Sequence, residues 1–388
     1  MSYALAIAGL AVLILIHEAG HFFAARAVGM RPRKFYLGFP PALVKVTRGG
    51  VEYGIGALPL GGYVKIPGMH RPAPGDLRQS LSKEVQEKCA DQLDALDAAL
   101  SRDDEETARS LIPELEPHLA GEKMFDELKD QLAPDAYWRQ DTWRRVVVIA
   151  AGPAVNAVCA LALFAAIFLV GTDVATRTVD QVVSGHPAAA AGIEAGDTIL
   201  TIAGHHVTPV TLPPHINATH GRAFRITVLR DGKKVTIGPL RAKKDQGVYR
   251  IGIELRGKPG PGESAPTAAK NSFRLTWDVI SGEARGIGGL FVGHGANQVS
   301  SIVGITRDTA AAERQSLQDY FFTIGFISLV LAILNLAPIL PLDGGHIVMS
   351  LLEGIRKRPF SQLAYLRYSA IGIAVLLFLV SIGLHNDT

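Results

Sequence analysis

The sequence predicts an α-helical membrane protein with about four transmembrane helices. A membrane-associated β-hairpin loop lies between the first two helices, and an extracytoplasmic β-rich α+β domain between the second and third. Three observations carry this reading. Apolar residues make up 48% of the 388 residues and are gathered into blocks. Short β-type runs around Gly pairs fill the polar stretches between the blocks. Basic residues concentrate in two of the loops between the blocks.

A spanning helix needs about 20 predominantly apolar residues. Residues 3–28, 146–170, 321–336 and 368–384 meet or approach that length, the third being short and followed by more apolar sequence beyond a Pro-rich break. The first block lacks a basic n-region and runs on through a polar cluster into Phe22-Phe23-Ala24-Ala25, so it reads as a retained span rather than a cleaved signal peptide. Arg31, Arg33 and Lys34 follow the first span, Arg139, Arg144 and Arg145 precede the second, and Arg356, Lys357, Arg358 and Arg367 separate the third from the fourth. The positive-inside rule makes those two loops cytoplasmic and leaves both termini outside, with the long segment from about 171 to 319.

The expected organisation is a first span over 1–30, a β loop over 31–68, an acidic helical insertion over 69–138 and a second span over 139–171. An outer domain then covers 172–257, a linker and amphipathic segment 258–318, a third span and polar motif 319–354, and a fourth span 363–385. In the β loop, Arg48-Gly49-Gly50 separates two β-type runs as a hairpin turn would, and Leu60-Gly61-Gly62-Tyr63 continues it. In the insertion, Leu93, Leu96, Leu100, Leu111, Leu115 and Leu119 recur at near-helical spacing among many acids, which predicts two or three amphipathic helices with a solvated face. The outer domain shows strand runs at 198–202, 225–229 and 248–253 and a short helix at 187–191. A net charge of +3, with no basic stripe interleaved with aromatics, gives no indication of nucleic-acid binding. Cys89 and Cys159 have neither zinc-knuckle nor disulfide-framework spacing.

The chemistry is concentrated in His17-Glu18-Ala19-Gly20-His21. On a helix, positions i and i+4 share one face, so both imidazoles reach one Zn²⁺, with Glu18 placed to take a proton from the attacking water. Three ionisable residues inside an apolar span are costly and imply function. A catalytic zinc takes three protein ligands and keeps an open position. Asp343, between apolar runs and just after Pro338 and Pro341, is the expected third ligand, with His346 as the rival.

These motifs, in this order, resemble the bacterial site-2 protease family (RseP/RasP-like), intramembrane zinc metalloproteases. The resemblance rests on the His17–His21 pentad, on Gly56 through Lys65, on Gly152-Pro153-Ala154-Val155-Asn156, and on Asn335 through Gly344. It implies His17, His21 and Asp343 as metal ligands and Glu18 as the catalytic base. It further implies that Asn335 holds substrate backbone or the reacting carbonyl, while Asn156 pairs helices beside the site. The hairpin would supply an edge strand for an extended substrate, with Gly61 and Tyr63 as contacts. The outer domain resembles a PDZ domain through Pro187–Ile193, Gly196-Asp197-Thr198-Ile199 and Leu229–Lys233. Such a domain either adds a peptide strand or excludes bulky substrates. Implied substrates are single-span membrane proteins such as anti-sigma factors, or remnant signal peptides, met among lipid in the bacterial inner membrane. Ser301-Ile302-Val303-Gly304-Ile305 departs from the Gly-Pro form frequent in the family, and the acidic insertion is no general family feature. A zinc transporter and an inactive PDZ scaffold are the competing readings. Against them stand the nearly charge-free second and fourth spans and the joint presence of His17, Glu18, His21 and Asp343.

Overall fold

The computed structural model describes residues 2–171, 173–245, 248–291, 317–360 and 362–387. The segment Ser301 to Ile305 therefore lies outside the described residues. The chain divides into two compact units, one of Met1–Ala166 with Ala269–Thr388 and one of Ile167–Ala268.

In the first unit, helix α1 (Ser2–Ala27) leads into strands β1 (Lys34–Arg48) and β2 (Val51–Lys65). Six short helices follow: α2 (Asp76–Ser80), α3 (Lys83–Lys88), α4 (Ala90–Ser101), α5 (Glu105–Ser110), α6 (Ile112–Leu119) and α7 (Lys123–Leu132). Helix α8 is Thr142–Val170, and helix α11, later in the chain, is Ala265–Phe291. Among the described residues, three helical stretches are long and apolar enough to cross a membrane: Ala4–Ala27, Thr142–Val170 and Leu317–Asn335. The fourth expected span coincides with a helix at Gln362–Asp387, in which the apolar stretch Ala364–Phe378 is shorter than those three.

The three long helices meet through small residues. A Cβ on Gly9 would lie 2.6 Å from the Tyr320 hydroxyl and from Ile324, and one on Gly325 2.9 Å from Phe164. Close backbone approach of this kind is how helices gain packing energy where no hydrophobic drive exists between them. Leu13, Tyr320 and Ile324 fill the contact, and the Tyr320 hydroxyl donates to the Leu5 carbonyl at 3.0 Å.

The β loop is more folded back than one hairpin. Residues 34–37 have partners on both sides: Lys34 faces Glu52 and Lys65, Phe35 faces Tyr53 and Val64, and Leu37 faces Ile55 and Gly62. Residues 42–48 face 51–56 in the opposite register, closing at Arg48 and Val51. Segment 62–65 therefore has a strand partner on one side only. Phe22 of α1 packs against Phe35 at 5.3 Å, which holds the sheet on the first helix.

The insertion forms six short helices where the leucine spacing predicts two or three. Ser82 and Asp104 cap new helix starts, Asp103 and Gly121 take positive φ, and Pro113 sits in the first turn of α6. Capping side chains and prolines start helices, and left-handed residues stop them. The pieces still share one core of Leu93, Leu96, Leu115, Leu119, Phe125 and Leu128.

The second unit is built on a sheet with strand order β10-β3-β4-β6-β7, to which β5 is added at β4. Its strands are β3 (Asp173–Val182), β4 (Thr198–Ile202), β5 (His205–His206), β6 (Ala223–Arg230), β7 (Lys233–Arg241) and β10 (Ile253–Pro259), with β8 (Lys243–Asp245) and β9 (Val248–Arg250) as a separate pair. Helices α9 (Pro187–Ala191) and α10 (Leu212–Ala218) complete it around a core of Val179, Ile199, Ile202, Ile216, Ile226 and Val228. Strand β10 runs through residues 257–259, read from sequence as the start of a linker, because Gly257, Lys258 and Pro259 pair with Ala175, Val174 and Asp173.

Arg230 of β6 ties down the α9–β4 loop through two carboxylates, exposed Glu194 and buried Asp197. Asp197 is 1% exposed and accepts from Arg230 Nε at 2.8 Å, Arg230 Nη2 at 2.7 Å and the Glu194 N–H at 3.0 Å. Burial raises its pKa, but Arg230 and the Glu194 amide more than offset this and hold it below the ordinary carboxylate value. A depressed folded-state pKa contributes stability above the unfolded value near pH 4, lost as pH falls below it. Protection of β4 and β6 amides, corrected for intrinsic exchange, is therefore expected to fall as pH drops from about 5 to about 2. In Asp197→Asn it is expected to start lower at neutral pH and to decline less on acidification. Parallel profiles for the two proteins would refute this role.

Candidate metal centre

The period of α1 puts His17 and His21 one turn apart on a single face, both largely buried. The chain then travels to the far end of the sequence for the remaining donor. After Leu317–Asn335 (α12) the backbone leaves the helix, and Asp343 opens the next one, Asp343–Arg356 (α13). His17 Nε2 lies 3.2 Å from Asp343 Oδ2, His21 Nε2 lies 3.4 Å from the same oxygen, and the two nitrogens are 3.2 Å apart. These are the three residues among those described that are grouped so as to hold a metal ion.

The donor set fits zinc. Ligands at about 2.0–2.1 Å in tetrahedral array lie about 3.3 Å from one another, and the three separations bracket that value. Asp343 Oδ2 is buried and has no hydrogen-bond partner. A buried carboxylate oxygen facing two ring nitrogens is costly without a proton or a cation between them. His21 Nδ1 donates to the Val148 carbonyl at 2.9 Å, which fixes the tautomer and leaves Nε2 free as a ligand.

Asn156 is 1% exposed, and its amide lies 3.4 Å from His17 Nδ1. Its Nδ2 faces the ring while its buried Oδ1 has no partner. Turning the amide brings Oδ1 to accept from Nδ1–H, pairs both groups and frees His17 Nε2 for the metal. Ser328 of α12 donates to the Asn156 backbone carbonyl at 2.9 Å, joining the third long helix to this arrangement. The sequence suggested helix pairing for Asn156; the structure places its side chain directly on a candidate ligand.

Glycines admit the neighbouring elements. A Cβ on Gly152 would overlap His21 Nε2 and lie 2.9 Å from His17 Cε1. On Gly20 it would stand 2.6 Å from the Ala151 carbonyl, so α1 and α8 touch backbone to backbone beside the imidazoles. On Gly62 it would overlap Glu18 Cγ. The Lys65 carbonyl accepts from the Arg33 N–H within the sheet at 2.7 Å. Backbone groups of successive strand residues point to opposite sides, so the Val64 amide faces away from β1, and there it meets the Glu18 carboxylate.

Glu18 thus lies between the imidazole pair and the unpaired edge of 62–65. Gly61 and Tyr63 flank the touching residue: a Cβ on Gly61 would meet the Phe39 ring at 3.0 Å, and the Tyr63 ring lies 6.5 Å from that of Phe39. Asn335 is half-buried at the end of α12. His346, the rival ligand, stacks on Tyr365 at 6.2 Å and is not in the metal-binding group. Sequence reasoning assigned no role to Gly62, Val64 or Gly152. The Gly-Gly and Gly-Pro pairs marked these places, but not what passes over them.

A peptidase family M50 model matches residues 5–379. The chain is 28% identical to the metalloprotease MmpA of Caulobacter vibrioides, covering 97% of this chain and 93% of that protein. It is 27% identical to the probable protease eep of Enterococcus faecalis, covering 97% and 96%, and 29% identical to the putative zinc metalloprotease all3971 of Nostoc sp., covering 97% and 93%.

Partners behind a metal ligand commonly contribute about 10–100-fold in metal affinity. Asn156→Leu is expected to weaken zinc binding by about that factor in competition with a chromophoric chelator. Gly152→Ala is expected to weaken it as well, by pushing the His21 ring aside. Unchanged affinity in both variants would remove Asn156 and Gly152 from the site.

Proposed function

We propose, for a chain that belongs to peptidase family M50 and is a membrane-embedded zinc metalloprotease of the site-2 type, that it hydrolyses peptide bonds in or near the transmembrane segments of single-span membrane proteins. The observation that carries this reading is Glu18, held between two imidazoles and an unpaired strand edge. A spanning helix hides its scissile bonds in its own hydrogen bonds, so a substrate must be drawn out locally before it is cut. Segment 62–65 has a strand partner on one side only, and its open side is where an extended peptide is taken up by strand addition. A peptide laid there passes beside Glu18.

On this reading His17, His21 and Asp343 would hold a zinc ion, which would supply Lewis-acid polarisation of the scissile carbonyl and make the attacking water more acidic, to a pKa of about 7. Glu18 takes the water's proton and delivers it to the leaving amine. Asn335, at the end of α12, supports the substrate backbone or the developing oxyanion.

The wider reading follows from charge and likeness. The basic loops face the cytoplasm, and both termini and the second unit lie outside, with the helix at Gln362–Asp387 as the fourth span of an inner-membrane protein. The second unit acts as a PDZ domain that selects substrates by strand addition or by size. Anti-sigma factors and remnant signal peptides are the substrate classes in view. Glu18→Gln is expected to keep zinc while lowering cleavage of a reconstituted single-span substrate by at least about 100-fold. Undiminished turnover in the zinc-loaded variant would defeat the assignment.

A further inference from the structure

The acidic insertion is attached to the strand that overlies Glu18, and the attachment centres on one carboxylate shared by two cations. Asp130, near the end of α7, uses both oxygens: Oδ1 accepts from Arg33 Nε at 2.9 Å, and Oδ2 pairs with Lys65 Nζ at 2.6 Å. Arg33 immediately precedes β1 and Lys65 ends β2, so the two cations stand at the ends of the paired segments 34–37 and 62–65. Glu127, one turn earlier on α7, adds a second contact to Lys65 at 3.3 Å. Asp135 grips Arg33 through two bonds of 3.1 and 3.2 Å and accepts from the Arg31 N–H at 3.0 Å. The Asp130 side chain is 13% exposed, Lys65 19% and Arg33 30%, so these pairs are partly shielded from water. Exposed pairs contribute little, whereas shielded, charge-assisted bonds that share one acceptor contribute more.

We infer that Asp130 is a positioning residue: with Glu127 and Asp135 it clasps the helical insertion to the β loop and fixes the height of edge 62–65 over Glu18. Lys65 follows Val64, whose amide meets the Glu18 carboxylate, and is three residues from Gly62, whose Cα rests on the Glu18 side chain. A shift at Lys65 is therefore passed to Glu18 along one short extended segment. The insertion supplies a rigid base for the clasp, because its helices share a buried core independent of the charged contacts. Backbone bonds close the other side: the Tyr137 N–H donates to the Pro67 carbonyl at 2.8 Å and the Trp138 N–H to the Gly68 carbonyl at 3.1 Å. Any partner or modification that displaced α7 would release the edge while leaving the three metal donors untouched. This inference rests on the reading of 62–65 as the substrate-holding edge.

The test uses the full chain in lipid nanodiscs with three readouts: zinc content, hydrogen exchange over residues 58–66 and 90–101, and cleavage of a single-span substrate. In Asp130→Asn, exchange over 58–66 is expected to rise about tenfold with 90–101 still protected and zinc retained. Cleavage is expected to fall mainly through a higher KM, and Asp130→Glu to recover most of the loss. Lys65→Met, which opens the clasp without touching the insertion, is expected to reproduce the Asp130→Asn pattern. Unchanged exchange over 58–66 in both Asp130→Asn and Lys65→Met overturns the clasp. A loss confined to kcat with normal exchange overturns it as well. If the unmodified protein cleaves no single-span substrate, the proposed function fails, while the exchange readout still decides the clasp.

Discussion

The structure depends on placing one carboxylate oxygen against two imidazole nitrogens inside an apolar helical packing. Asp343 Oδ2 lies within 3.4 Å of both Nε2 atoms and has no hydrogen bond of its own. Removing a carboxylate from water costs far more than any contact around it returns, unless a cation or a proton compensates. A zinc ion satisfies all three groups together, and the spacing suits one. Metal binding there would couple α1 to α13, because these donors from opposite ends of the sequence converge only in the folded chain.

Donors alone would not make the site work; room beside them is also required. Gly152 lets α8 press against the imidazoles, Gly20 lets α1 answer that approach, and Gly62 lets an edge strand cross Glu18. Each is a place where one added carbon would strike a functional group or the backbone beside it. The close approach brings Asn156 to His17 and the Val148 carbonyl to His21, so the second long helix fixes both ring orientations.

Some of this was legible in the sequence, and the dividing line is physical. His17, Glu18 and His21 were readable because helix geometry alone sets their relation. Asp343 was readable as a candidate because Pro338 and Pro341 break an apolar run just before it, which only a polar or watered setting tolerates. The strand at Thr198–Ile202 and the helix at Pro187–Ala191 follow local pattern and coincide with the observed elements. What local pattern does not contain is register between distant elements. Nothing near Gly152 says that an imidazole will face it, and nothing near Asp130 says that Arg33 and Lys65 will share its carboxylate. The number of helices in the insertion was missed for a related reason. Leucine spacing reports a common core, whereas the breaks are set by single capping residues at Ser82 and Asp104.

The third candidate ligand comes from the first residue of a helix rather than from the middle of one. Asp343 opens α13, where the unpaired N–H groups of the first turn favour negative charge. The turn that makes this possible needs close packing, and Gly344 and Gly345 provide it: a Cβ on either would overlap the backbone at Leu336, Ala337 or Leu340. The broken segment after α12 is therefore what brings a carboxylate to the two imidazoles. Lengthening α12 through it would keep every residue of the motif and lose the site, because Asp343 would then lie mid-helix, on whichever face the helical period assigned it.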